Sequence, residues 1–212
     1  FADASAAAPY YRPFSNLSFF FLTRWCGLEA SCFYLLSMLL HLLSGCALFW
    51  IAKDHLGLDR GRSFGFALIV ALLFVVHPRH VESVSYIHDN ENIICGLFYF
   101  LGFGCFAEFY QRGKSALLAL AAVCFLFSLF GKEMGVTLPL VCLVYAQIST
   151  VRPFDIRSMF ADRPLRQALL CYAGVFLLYM IMRHHGLGAW VGGAGDTATL
   201  DFDPARMVRV LF

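Results

Sequence analysis

Long apolar blocks separated by short polar stretches run through this chain from Ala30 to Met182. Six read as membrane-spanning helices: about Ala30 to Ala52, Ser63 to Val76, Asn92 to Tyr110, Ser115 to Phe130, Gly135 to Ser149 and Gln167 to Met182. A hydrocarbon core of about 30 Å needs roughly 20 helical residues, so the shorter blocks must borrow from their polar flanks. Apolar residues fill each block instead of marking a stripe along it, which suits lipid better than one face of a soluble helix. Before the first block, Tyr11 to Gly27 mixes apolar runs with Arg12, Ser15, Asn16, Arg24 and Trp25, the pattern of an amphipathic helix lying in the membrane interface. The predicted fold class is all-α: a multi-pass transmembrane helical bundle with about six spanning helices and an interfacial helix over 11–27, with 1–212 forming part of a single transmembrane domain.

Composition agrees with that pattern. Hydrophobic residues make up 60% of the chain and charged residues 14%, against about 25% charged in a soluble domain. A net charge of +2 without a Lys/Arg run excludes a nucleic-acid partner. The chain opens without methionine, and Phe1 to Pro9 lacks the basic and apolar regions of a signal peptide, so it reads as a fragment. Six of the eight cysteines lie in apolar segments, where a thiol behaves as a small hydrophobe. Cys26 and Cys32 lie near the membrane surface, and their placement permits a disulfide without predicting one.

The polar connections alternate in charge. Lys53 to Arg62, Gln111 to Lys114 and Thr150 to Arg166 together hold nine of the 16 Lys and Arg residues, which places them in the cytoplasm by the positive-inside rule. The opposite face is net negative and carries His77, His80, His88, His184 and His185, so any chemistry is expected on the lumenal or outer side. Gly186 to Thr199 reads as a loop on that side, with a helix starting at Pro204.

The densest polar cluster on that face is His77-Pro78-Arg79-His80-Val81-Glu82, followed by His88-Asp89-Asn90-Glu91-Asn92. On a helix, His80 and Glu82 diverge by about 200°, and the spacing matches no recognised ligand set, so no metal site is expected. Gly131-Lys132-Glu133 and Arg183-His184-His185 close two other helices on the same face, and Arg12 joins them from the interfacial segment. Cations converging from separate pieces of chain beside carboxylates suit an anionic headgroup, with a lipid-linked phosphate the natural candidate. His41, midway along the first span, is expected to be a neutral histidine hydrogen-bonding between helices. Pro139 is expected to kink the fifth span.

These pieces resemble a known family, the transmembrane and tetratricopeptide-repeat-containing (TMTC-like) proteins of the membrane-embedded GT-C glycosyltransferase class. The resemblance rests on Tyr10-Tyr11-Arg12-Pro13, Leu39-Leu40-His41, His77-Pro78-Arg79-His80-Val81-Glu82-Ser83-Val84, Gly131-Lys132-Glu133-Met134-Gly135, and Leu178-Tyr179 with Arg183 and Gly186. The family often has Arg at the position of Asn90, Asn at that of Ser37, and a small residue or Ser at that of Gly131. The resemblance implies a GT-C-like fold and transfer of a sugar, mannose in eukaryotic members, from a polyprenyl (dolichyl) phosphate donor to a protein Ser or Thr hydroxyl. It also implies membrane lipid, the lipid-linked donor and an acceptor protein as partners, and no other cofactor. The location implied is the endoplasmic reticulum membrane in a eukaryote or the inner membrane in a bacterium.

On this reading Arg12, His77, Arg79, His80, Lys132 and Arg183 bind the donor phosphate, where preorganised charge stabilises the leaving group. Glu82, Glu133, Asn90 and His41 orient them. The competing classes are a transporter or channel, which would concentrate ionisable groups near the midplane, and a non-catalytic subunit of a membrane complex. The family's catalytic acid pair lies upstream of the Tyr-Arg-Pro motif. The full-length sequence is therefore expected to carry Asp-Asp or Asp-Glu in an outer loop before Phe1, after one further spanning helix; sequencing that region and finding no such pair removes the catalytic role.

Overall fold

The structure, a computed structural model, describes residues 11–56, 60–86, 89–149 and 162–187. Tyr10, His88, the stretch 150–161 and the loop and helix expected from residue 188 onward lie outside the described residues. The elements are α1 (Pro13–Cys26), α2 (Ala30–His55), α3 (Arg60–Val76), α4 (His80–Ser85), α5 (Asn90–Arg112), α6 (Ser115–Gly131), a 3-10 turn (Glu133–Thr137), α7 (Leu138–Ser149) and α8 (Arg163–Leu187). The described residues contain no strand.

Length separates these helices into two groups. At about 1.5 Å per residue, the 26 residues of α2, 23 of α5 and 25 of α8 extend roughly 35 to 39 Å, enough to cross a bilayer. The apolar parts of α3 and α6, and the 3-10 turn with α7, run for 17 residues or fewer and fall short by themselves. Among the described residues, three helices are thus long and apolar enough to span unaided.

The segment expected to be a fifth span with a proline kink is built differently. It opens as the 3-10 turn and becomes α-helical at Leu138, with Pro139 in the first turn of α7. Proline is accommodated there because a first-turn N–H has no intrahelical acceptor to lose.

α5 is the most enclosed of the three long helices and packs against α2, α4, α6, α7 and α8. It forms an antiparallel hairpin with α6 through Gly113, whose φ of +68° caps α5 in the left-handed region while its N–H bonds Phe109 O at 2.7 Å. Phe106, Phe125, Leu129, Leu138 and Tyr172 are fully buried between α5, α6, α7 and α8. α1 lies over α5 and α6, and its far end is tied to the start of α2 by a Cys26–Cys32 disulfide. The outer side of α1 leaves Phe20, Phe21 and Trp25 exposed, as do Leu39 and Leu43 on α2 and Leu72 and Leu73 on α3.

Polar side chains gather at the two ends of this apolar frame. One end holds Arg12, Glu91, Lys132, Glu133 and Arg183. At the other, His55, Glu108, Gln111 and Arg112 meet between α2 and α5, and Gln111 donates to Tyr145 of α7 at 3.0 Å.

The contact between α2 and α5 depends on Gly104, where an added Cβ would lie 2.2 Å from Trp50 Cζ3. Gly104→Ala is expected to destabilise the protein by about 1–3 kcal/mol through overpacking, measured as a lower unfolding temperature in detergent; an unchanged temperature would show that Trp50 repacks freely.

Candidate functional site

Arg12 stands immediately before α1, where Pro13 occupies the first helical position and the Arg12 carbonyl accepts from Asn16 N at 3.2 Å. That start is pinned by Tyr11, whose buried ring meets Phe130 edge-on and tilts against Tyr179, both with centroids 6.1 Å away. Gly186 makes room for it: a Cβ there would sit 2.8 Å from the Tyr11 ring. A residue that looks like part of a terminal arm is therefore fixed by aromatic packing to α6 and α8.

From this position the Arg12 guanidinium divides its fork. Nη1 donates to Glu91 Oε1 at the first turn of α5, and Nη2 donates to Glu133 Oε2 at 3.1 Å in the 3-10 turn. Arg183 from α8 approaches the other oxygen of Glu133 at 3.5 Å and lies 3.5 Å from the Tyr179 hydroxyl. Lys132 donates to Asn92 Oδ1 at 2.6 Å and stands 3.9 Å from Glu91. The side chains of Arg12, Glu91 and Arg183 are 13%, 10% and 9% exposed, which makes charge pairing obligatory.

Local electrostatics reflect the pairing. Burial disfavours the charge on Arg12, yet Glu91 and Glu133 hold its pKa above the ordinary value. Burial likewise pushes the Glu133 carboxyl up, but its own backbone N–H and the two arginines outweigh this and hold it below the usual carboxylate range. Three cations meet two carboxylates, leaving one positive charge in excess. Among the described residues no acceptor hydrogen-bonds Arg183 Nε, a buried donor.

The other predicted site residues fall in an adjoining cleft of about 520 Å³ between α2, α3, α4 and α5. It is lined in part by His41, Phe74, Arg79, His80, Glu82 and Asn92. His77 stands beside His80 with ring centroids 5.8 Å apart, and its Nδ1 accepts from Arg79 N at 3.1 Å. Arg79 and Glu82 form an exposed pair at 3.7 Å. The His41 ring stacks on Phe74, and its Nε2 lies 3.2 Å from Val75 O, linking α2 to α3. Since a carbonyl only accepts, Nε2 carries the hydrogen. Asn90 is buried at the start of α5, with no partner for Oδ1 among the described residues. His184 is half-buried and His185 exposed at the end of α8.

The single anion site anticipated from the motifs is thus two adjacent places. Arg12, Lys132 and Arg183 come together, Arg79 and His80 line the cleft with His77 at their side, and Asn92 borders both. Glu91, Asp89 and Asn92 were not among the residues singled out as ligands. A signal existed: in an antiparallel hairpin, residues at similar distances from the turn face one another, which sets Asn92 and Glu91 opposite Lys132.

Described residues that form helices and no strand, with three helices long and apolar enough to cross a bilayer and the ion pairs among them gathered at helix ends, mark a membrane protein. Comparison with known proteins is consistent with that class and bears out the resemblance read from the motifs: the chain is similar to the TMTC proteins. It is 32% identical over 149 residues to mouse protein O-mannosyl-transferase TMTC1, covering 64% of this chain and 15% of that protein. The human TMTC1 match is 31% over 149 residues, 64% and 16% respectively. Fruit-fly Tmtc3 is 27% identical over 188 residues, 76% of this chain and 19% of that protein. The chain therefore spans less than a fifth of the length of these relatives. No family model matches the chain, and no solved structure matches it.

Glu91 is the carboxylate shared by Arg12 and Lys132. Glu91→Gln is expected to cost about 3 kcal/mol of stability, the scale of a broken buried ion pair. Thermal unfolding in detergent measures it, and a variant as stable as the parent would show that the pair contributes nothing net.

Proposed function

We propose that this chain forms the donor-binding part of a membrane glycosyltransferase of the GT-C class. It moves a sugar, mannose by the names of its relatives, from a polyprenyl (dolichyl) phosphate to Ser or Thr hydroxyls of acceptor proteins. The observation that carries the reading is the cation trio Arg12, Lys132 and Arg183, drawn from three distant parts of the chain to one end of the bundle with a charge in excess.

The chemistry follows from charge. When the sugar–phosphate bond breaks, negative charge grows on the departing lipid phosphate, and fixed cations in a water-poor site stabilise that charge most. Lys132 has ammonium hydrogens beyond the one given to Asn92, and Arg183 Nε is an uncommitted donor among the described residues. Glu91 and Glu133 hold the cations apart and aimed, so neither is free to act as the base that deprotonates the acceptor hydroxyl. Glu82 pairs with Arg79 at the exposed rim, a weaker tie than the buried pairs. On this reading the shorter apolar helices cross the membrane with their flanks, giving about six spans, and the cation end faces the lumen or the exterior.

Arg12→Ala and Lys132→Ala in the complete protein are each expected to weaken polyprenyl-phosphate binding by about tenfold or more, as expected for loss of a charge-assisted hydrogen bond. Equilibrium binding in lipid nanodiscs measures this, and unchanged affinity in both variants removes the phosphate-site assignment.

A further inference from the structure

The cleft beside the cation trio has a different chemistry from the trio itself. One wall is aromatic: His80 lies on Phe74 with centroids 4.5 Å apart, and Phe100 meets Phe74 edge-on at 5.5 Å. Ser83, Asp89 and Asn92 also line the cleft. Asp89 accepts from Ser83 Oγ at 2.8 Å and from Asn92 Nδ2, yet each carboxylate oxygen keeps a lone pair for another donor. Gly96 lines the same space, and a Cβ added there meets no atom within 4 Å.

Charge decides what such a space can take. Arg79 and Glu82 cancel each other at the rim, and Asp89 remains. Burial, and then His41 and His77, push the His80 imidazole below its ordinary pKa, which disfavours a positive charge on that ring. A cleft whose charge without an ion-pair partner, among the described residues, is a carboxylate disfavours phosphate, and Lys132, 2.6 Å from Asn92 at its border, disfavours a cation. A neutral polyol fits: its C–H faces lie against the negative faces of aromatic rings, and its hydroxyls donate to Asp89 and accept from Asn92 or His80. A cleft of about 520 Å³ is roomy for one hexose and within the usual range for small-ligand sites.

We propose that this cleft holds the hexopyranose of the sugar-phosphate lipid, while its phosphate rests outside on Lys132. Asn92 is the hinge between the two subsites, bonding Asp89 with one end of its amide and Lys132 with the other. The assignment rests on the lipid-phosphate donor reading above and adds to it the group that recognises the sugar.

The test compares two lipids of equal chain length, polyprenyl phosphate and polyprenyl-phosphate mannose, binding to the complete protein in nanodiscs. Gly96→Leu projects into the cleft from a position where an added Cβ meets nothing within 4 Å, and an unfolding temperature in detergent equal to the parent's checks that the fold is kept. It is expected to weaken the mannose-bearing lipid about tenfold or more and to leave the bare lipid unchanged; Asp89→Asn is expected to act in the same direction. In the unaltered protein, the mannose-bearing lipid should shield His80 from carbethoxylation more than the bare lipid does. Equal weakening of both lipids, no weakening of either, or equal shielding overturns the sugar subsite while leaving the phosphate reading in place. Unaltered protein that binds neither lipid overturns both.

Discussion

Everything at the polar end of this bundle depends on the cost of leaving Arg12 unpaired. Its guanidinium is taken largely out of water, and a desolvated charge without partners would cost several kcal/mol. Glu91 from α5 and Glu133 from the 3-10 turn meet that demand from opposite sides, and Arg183 and Lys132 attach to the same two carboxylates. One fork-shaped cation thereby sets the relation of the α1 start to α5 and to the turn after α6, with α8 joined through Glu133. The aromatic contacts of Tyr11 place the fork, and the ion pairs fix its direction.

That constraint also divides the site. Because Glu91 and Glu133 are engaged by the cations, the trio carries only a small excess of positive charge. The neighbouring cleft has the opposite balance, with the Arg79–Glu82 pair cancelling at its rim and Asp89 left beside aromatic rings. Two adjacent places of unlike charge are thus joined through Asn92, whose amide bonds Asp89 at one end and Lys132 at the other.

Much of the bundle could be read along the chain. The apolar blocks appear as helices, and the charge segregation appears as two polar ends. The number of helices that span unaided could not be read so directly, because hydropathy marks which residues avoid water but leaves open whether a short helix gains length from its flanks. Pro139 illustrates the same limit: a proline within an apolar run could kink a helix or begin one, and only the change from 3-10 to α at Leu138 distinguishes the two. Glu91 lies in the dense polar run after His88, but its pairing with Arg12 is not legible there, because an acid at a helix start resembles an ordinary dipole partner until its neighbour across the hairpin is known.

The sequence by itself determined that this is a membrane protein of helices, that its cations and histidines collect at helix ends, and which motifs resemble a family of transferases. The first two are consequences of composition and periodicity, since apolar runs must leave water and charges favour the ends of the helices that enter lipid, whereas the resemblance rests on the motifs themselves. Which cation meets which carboxylate, and that Arg79 and His80 open on a cleft apart from Arg12, Lys132 and Arg183, was decided only by tertiary structure. Pairing over separations of 79 and 121 residues depends on how helices are rotated and stacked, and no local pattern in the chain encodes that.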